Sequence, residues 1–491
     1  MKYVSTRGGS EEKTSAQAII QGLASNKGLF VPTEIPELPF KLDELKDLEY
    51  KQVAEKIIGS FLYDFTEAEI TECVNGAYTD KFSAEEIVPV VKAGDAWFLE
   101  LYHGRTSAFK DMALSILPYL LTTSLKKENE ESRICILTAT SGDTGKAALE
   151  GFCDVPGTEI IVFYPEEGVS AVQMAQMVTQ QGKNTHVFAI RGNFDDAQKG
   201  VKEIFNSREI AEQLQEKGVK LSSANSINIG RLIPQVAYYV FGYGQLIKQG
   251  AIKPGDEINI VVPTGNFGNI LAAYYAHLMG IPVNRFICAS NENKVLTDFI
   301  RTGIYDTHRE FHITTSPSMD ILVSSNLERL LYHLSGEDPK TIASLMEELD
   351  TKGIYKVNDK IKGGLCKFYG GFADMDMTEE ALGSMYRDNS YLMDTHTAVA
   401  YKVYEDYKKE TGDDRPTLIA STASPFKFSG SVSKAIEMAP EENEFINLKN
   451  LALKTGLEIP EGLKDLDRKE ILHNECIQKD GMVDAIIKSL Q

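Results

Sequence analysis

Ile258-Asn259-Ile260-Val261-Val262-Pro263-Thr264-Gly265-Asn266-Phe267-Gly268-Asn269-Ile270-Leu271-Ala272-Ala273-Tyr274-Tyr275 reads as a short apolar strand, a polar loop with two glycines, and an apolar helix. Two other places share that design. Ile134-Cys135-Ile136-Leu137 runs through Thr138-Ala139-Thr140-Ser141-Gly142-Asp143-Thr144-Gly145 into a helical Ala147–Phe152, and Thr417-Leu418-Ile419-Ala420 runs through Ser421-Thr422-Ala423-Ser424-Pro425 into a predicted helix over 431–438. Uniformly apolar strands separated by helices predict parallel sheet covered on both faces, with ligands gathered at the carboxyl ends of the strands. All three polar loops lie at that end, so the fold class is α/β with a site assembled from loops. Residues 160–164 and 185–190 read as further strands, and 197–205 and 234–249 as helices. Residues 10–90 read as mostly helical with an apolar turn around Leu29-Phe30-Val31-Pro32, and the tail beyond about 440 as short helices broken by Pro460 and Gly462.

The 491 residues suffice for several domains, and 43% hydrophobic residues can fill large cores. With 51 Lys+Arg against 71 Asp+Glu the net charge is -20, which opposes unspecific binding to nucleic acid or an anionic membrane. An anionic ligand must then be held by local geometry. The six cysteines form no C-x-x-C pair and the eight histidines no ligand-like spacing, so neither a disulfide framework nor a metal site is expected. Met1 to Gly9 lacks the apolar core of a signal peptide, and no apolar run approaches the roughly 18 residues of a membrane span. A reducing cytoplasm is the expected compartment.

Lys110, in Ser107-Ala108-Phe109-Lys110-Asp111-Met112-Ala113-Leu114, shares a helical face with Ala113, Leu114 and Leu117, while Phe109, Met112 and Ile116 crowd the adjacent face. A helix carrying so little polar surface is nearly buried, and burial disfavours the charged form of a lysine. Two readings stand: a neutral amine able to act as nucleophile and base, or a lysine whose methylenes pack while its ammonium reaches water at the helix start.

A strand followed by a glycine-bearing loop and a helix suits an anion, because the first helical turn leaves amide N–H groups unpaired and the dipole favours negative charge. Gly265 and Gly268 would let backbone approach phosphate oxygens, with Asn266 and Asn269 as extra donors; the same residues also serve plain turns. Gly142-Asp143-Thr144-Gly145-Lys146-Ala147 lacks the glycine spacing and the hydroxyl residue of a Walker loop, and Gly265-Asn266-Phe267-Gly268 lacks the G-x-G-x-x-G fingerprint, which argues against ATP and NAD. A buried lysine, two anion loops and a hydroxyl-rich third loop are united by pyridoxal 5'-phosphate, which offers an aldehyde, a phosphate and a ring nitrogen, with a substrate carboxylate as the second anion.

His103-Gly104-Arg105-Thr106-Ser107-Ala108-Phe109-Lys110-Asp111, Ser141-Gly142-Asp143-Thr144-Gly145 and Gly265-Asn266-Phe267-Gly268-Asn269 resemble the threonine synthase family. So do Tyr3-Val4-Ser5-Thr6-Arg7-Gly8, Gln21-Gly22-Leu23, Lys27-Gly28-Leu29-Phe30 and Ser421-Thr422-Ala423-Ser424-Pro425, so the resemblance runs from residue 1 to about 435. It implies the tryptophan-synthase-β-like α/β architecture, fold type II among pyridoxal phosphate enzymes. On that pattern residues 1–90 form an N-terminal domain, 91–225 a smaller mobile domain with the lysine and substrate loop, 226–440 a larger cofactor-binding domain, and 441–491 a helical extension.

The resemblance further implies that Lys110 carries the cofactor, that Gly265, Asn266, Phe267, Gly268 and Asn269 cradle its phosphate, and that Thr422 meets the ring nitrogen. Ser141, Gly142, Asp143 and Thr144 would clamp the substrate carboxylate, with Asp143 orienting the turn. The implied lyase reaction turns O-phospho-L-homoserine and water into L-threonine and phosphate, in a monomer or homodimer with no nucleic-acid or membrane partner. An alternative on the same scaffold is a phospholyase that releases 2-oxobutyrate, ammonia and phosphate. Arg105 stands where many relatives have Pro, and Ser424 where many have His. Arg7, Arg105 and Lys427 are the cations to consider for the substrate phosphate.

Overall fold

The structure is a computed structural model that describes residues 1–491 apart from Ser141, Gly168, Pro440, Gln491 and the side chains of Asp195 and Asn206. Along the chain β1 (Tyr3–Ser5) and β2 (Phe30–Pro32) are followed by β3 (Val90–Ala93), β4 (Ala96–Glu100), β5 (Arg133–Ala139), β6 (Thr158–Pro165), β7 (Thr185–Ile190) and β8 (Val219–Ser222). Then come β9 (Ile258–Pro263), β10 (Val283–Ser290), β11 (Ile304–Asp306), β12 (Ile354–Lys356), β13 (Phe368–Phe372), β14 (Thr417–Ser421) and β15 (Cys476–Ile477). Two sheets dominate, with orders β13-β10-β9-β14-β4-β3 and β15-β7-β6-β5-β8. The first is parallel except for the β3–β4 hairpin, and the second is parallel throughout.

Every residue of β9 and β14 is buried, as expected of strands covered on both faces. The helix Ile229–Lys248 is buried along nearly its whole length, because its sequence is apolar all round and it runs through the main core. Of the three strand-loop-helix units, two lie side by side on β9 and β14, and the third rises from β5 in the other sheet. The loop after β4 is neighbour to the loop after β14. That pairing brings Lys110 to the carboxyl ends of the larger sheet. Among the described residues no helix is long and apolar enough to cross a membrane.

Four expectations need correction. The helix foreseen from Lys110 onward is two helices, Lys110–Leu114 and Leu117–Lys127. Pro118 cannot donate to the Leu114 carbonyl, so the helical ladder is interrupted there, and Gly151 packs against that carbonyl. The apolar turn at Leu29–Pro32 is β2, paired antiparallel with β1, because its apolar residues are all buried. The expected boundary at residue 91 falls inside the larger sheet, since β3 and β4 hydrogen-bond there and the Lys110 segment starts from it. The tail is not only helical: β15 extends the smaller sheet beside β7, and helix Met482–Ser489 packs on that sheet's core.

A Cβ built on Gly151 would lie 2.1 Å from the Leu114 carbonyl oxygen, backbone that cannot step aside. Gly151→Ala is therefore expected to cost about 1–3 kcal/mol, measured by urea unfolding; an unchanged midpoint would contradict this packing.

Candidate active site

The lysine-bearing segment is stitched to the loop after β14. The Leu101 N–H donates to the Ser421 carbonyl at 2.9 Å, the Phe109 N–H to the Thr422 carbonyl at 2.8 Å, and the Ser424 N–H to the Ser107 carbonyl at 3.0 Å. Ala108 and Ala423 form an antiparallel bridge between these bonds. Ser107 adopts φ 58, a left-handed conformation that a residue with a Cβ seldom takes outside tight turns. Asp111 fixes the same turn, accepting the Thr106 N–H at 2.8 Å and its hydroxyl at 2.5 Å. Burial pushes Asp111 up to about 6 despite those bonds.

Lys110 is 8% exposed. Its Nζ donates to Asp143 Oδ2 at 3.2 Å and Ser318 Oγ at 3.0 Å, and lies 4.8 Å from the centre of the Phe109 ring. Burial pushes its ammonium below the ordinary value, opposed by Asp143 and reinforced by Lys427 and Arg231. Asp143 accepts the Gln173 amide at 2.9 Å and meets Lys427 Nζ at 2.6 Å. Burial works against its ionisation, yet Lys427 and Lys110 outweigh that and hold the carboxyl well below the usual range. Asp143 opens helix Asp143–Phe152 from a Gly142 at φ 146, and Thr140 Oγ1 ties the turn by accepting the N–H groups of Gly142 at 3.0 Å and Gly145 at 2.9 Å. Thr144 is partly buried in the first turn of that helix, and Ser141 lies outside the described residues.

The glycine loop follows β9. Phe267, at φ 63, precedes helix Gly268–Met279, and the loop is pinned from outside. Ser324 Oγ donates to the Gly265 carbonyl at 2.7 Å, while Asn326 reaches the Asn266 carbonyl through its N–H at 3.1 Å and its amide at 3.0 Å. Asn269 accepts the Tyr239 hydroxyl. Its buried Nδ2, like Ser107 Oγ beside Lys110, has no hydrogen-bond partner among the described residues. A Cβ on Gly265 would come within 2.4 Å of the Ser318 carbonyl, so Ser318 joins this loop to Lys110. An anion-suited helix start, a buried amine pushed toward neutrality and unpaired buried donors fit a phosphorylated aldehyde such as pyridoxal phosphate.

Each of the three expected cations already has a carboxylate partner. Arg7 forms a two-pronged pair with Glu328 at 2.9 and 3.0 Å, Arg105 meets Glu150 at 3.1 Å with half its side chain in solvent, and Lys427 is enclosed with Asp143. Arg231 was not foreseen. It is 3% exposed, its Nη1 donates to the Ala224 carbonyl at 2.7 Å, and its buried Nε has no partner among the described residues. Burial lowers it to about 10, and its charge is felt at Lys110. Ala224 to Arg231 mixes Asn, Ser and Gly ahead of an apolar helix, which reads like an ordinary turn. His396 was also missed. Its Nδ1 lies 2.7 Å from Asp394 Oδ2 and its Nε2 accepts the Ser318 N–H at 3.2 Å, steadying the turn over Lys110. The signal is Asp394-Thr395-His396-Thr397, a helix N-cap whose aspartate also binds the histidine. Thr422 is 5% exposed; its N–H donates to Thr397 Oγ1 at 3.3 Å.

Family models match nearly the whole chain: Threonine synthase N terminus over residues 2–78, Pyridoxal-phosphate dependent enzyme over 79–422, and Threonine synthase, C-terminal over 397–478. Threonine synthase-like 1 of Homo sapiens is 39% identical over 447 residues, covering 87% of this chain but 59% of that protein, so the chain spans about three-fifths of that relative's length. Threonine synthase of Pseudomonas aeruginosa is 38% identical over 447 residues, covering 90% of this chain and 92% of that protein. The crystal structure of threonine synthase from yeast superposes with a TM-score of 0.88 at 31% identity, over 100% of this chain and 98% of that one. PLP bound threonine synthase from Brucella melitensis gives 0.87 at 33% identity, with the same coverage.

Gly265→Ala is expected to push the Pro317–Met319 turn outward and speed amide hydrogen exchange over 314–319. Unchanged protection there would contradict the close approach.

Proposed function

The chain belongs to the threonine synthase family, and from that premise we propose that it converts O-phospho-L-homoserine and water to L-threonine and phosphate with pyridoxal 5'-phosphate. We assign this carbon–oxygen lyase to the cytoplasm, as a monomer or homodimer. The observation that carries the reading is a buried Lys110 set between Asp143 and Ser318 and joined through Ser318 to the glycine loop.

When bound, the cofactor supplies an electron sink that stabilises negative charge on substrate carbon. Lys110 would hold its aldehyde carbon, Gly265, Asn266, Phe267, Gly268 and Asn269 its phosphate, and Thr422 its ring nitrogen. The orphaned Asn269 Nδ2 supports the phosphate role. Lys110 Nζ, pushed toward neutrality by burial, takes and returns protons at substrate carbons, and Ser318 Oγ orients it. Ser141, Gly142, Asp143 and Thr144 are assigned to the substrate carboxylate, beside the start of helix Asp143–Phe152, where first-turn N–H groups lack helical partners. Asp143 turns its own charge toward two lysines rather than toward that anion.

Arg231, a buried guanidinium with an unpaired Nε and a field that reaches Lys110, is the group best suited to the substrate phosphate. Arg7 and Arg105, already paired with carboxylates, suit it less. Enclosure of Lys110 keeps bulk water from the amine until the substrate is in place.

Pure protein given phosphohomoserine is expected to yield threonine and phosphate in equal amounts, assayed together with oxo acid and ammonia. Stoichiometric 2-oxobutyrate would overturn the synthase assignment. Lys110→Ala is expected to lose more than about 100-fold in turnover while the chain still folds by circular dichroism. Thr422→Val removes one hydroxyl from a near-isosteric side chain, and should lower turnover roughly threefold to tenfold; an unchanged rate would clear Thr422 of ring contact.

A further inference from the structure

We propose that Lys427 is a positioning residue for Lys110: it claims Asp143 as its own buried ion-pair partner and so leaves the Lys110 amine free to part from that carboxylate. The inference rests on the reading of Lys110 as the amine that takes the cofactor. Asp143 divides its two oxygens between two lysines. Oδ1 meets Lys427 Nζ at 2.6 Å and the Gln173 amide at 2.9 Å, while Oδ2 takes Lys110 Nζ at 3.2 Å and the Ser318 hydroxyl at 3.4 Å. The shorter contact belongs to Lys427, whose side chain is 0% exposed and whose second bond, 2.9 Å to the Thr106 carbonyl, fixes it to the segment that leads into Lys110.

Charge counting states the consequence. With Asp143 alone beside it in a desolvated site, Lys110 would be held as an ammonium, unable to attack an aldehyde or accept a proton. Lys427 already balances Asp143, so a neutral Lys110 leaves the trio uncharged, and a protonated one leaves an uncompensated positive charge near Arg231. Among the described residues, the charged groups felt most strongly at Lys110 are Asp143, Lys427 and Arg231. Asp111 of the same helix turns onto Thr106, and His396 reaches the amine only through Ser318. Lys427 follows β14 of the larger sheet and Asp143 follows β5 of the smaller one. The compensation therefore exists only with the two sheets brought together as they are here.

The test follows Lys110 itself in the apo-protein. Reductive methylation by formaldehyde and cyanoborohydride is measured at Lys110 by peptide mass spectrometry across pH, alongside borohydride trapping of pyridoxal phosphate at the same residue. Lys427→Met is expected to move the methylation midpoint up by about one pH unit, close to tenfold slower reaction at neutral pH, while Lys427→Arg keeps the wild-type profile. Lys427→Met combined with Asp143→Asn should bring the midpoint back to the wild-type value or below, and Asp143→Asn alone should lower it.

An unshifted midpoint in Lys427→Met, or a shift that Asp143→Asn does not relieve, would overturn the proposal. If Lys427→Met does not fold, Asp143→Asn decides: a midpoint left where it was would also overturn it. Failure to trap the cofactor at Lys110 in the wild-type protein would instead sink the assignment of that lysine, whatever the methylation profile.

Discussion

Asp143 holds two buried lysine amines that come from distant parts of the chain, and burial of all three side chains leaves little solvent screening of the attraction. An unpaired charge is costly in such a place, so the arrangement persists only while all three groups are aligned. Several features serve that alignment. The bridge between Ala108 and Ala423 sets where Lys110 starts its helix, Thr140 shapes the turn from which Asp143 projects, and Gln173 takes part of the carboxylate's remaining capacity. Burial makes the carboxylate's hold on each lysine strong, and the same burial presses Lys110 toward its neutral form.

Parallel sheets explain why these groups meet at all. Each strand delivers its following loop to the same edge, so β4, β9 and β14 present the lysine segment, the glycine loop and the hydroxyl loop along one rim, while β5 brings a fourth loop from the other sheet. The turn around Ser318 closes the set: its hydroxyl reaches Lys110, its N–H reaches His396, and its carbonyl occupies the space beside Gly265. Glycine at 265 is required there by close backbone approach rather than by backbone conformation.

The chain was most legible where one physical cause acts locally. Apolar strands running into polar loops marked both sheets, and Lys110, Asp143 and the 265–269 loop were visible as departures from that pattern. Pairing partners were not visible. Arg7, Arg105 and Lys427 all read as available cations, yet each has a carboxylate waiting many residues away, at Glu328, Glu150 and Asp143. Arg231 and His396 are hidden for the complementary reason: one stands at the start of a helix that is apolar along its length, the other inside an N-cap, and neither context hints that the side chain acts on the lysine, Arg231 through its charge and His396 through Ser318.

By itself the sequence determined the α/β class, the three strand-loop-helix units and the lysine at their centre, because hydrophobic periodicity and turn chemistry operate over a few neighbouring residues. Tertiary structure decided which charges neutralise one another, that Gly151 packs against the Leu114 carbonyl, and that the hairpin before Lys110 joins the larger sheet. Ion pairing and burial depend on distances between residues far apart in the chain, and those distances exist only once the sheets have closed on each other.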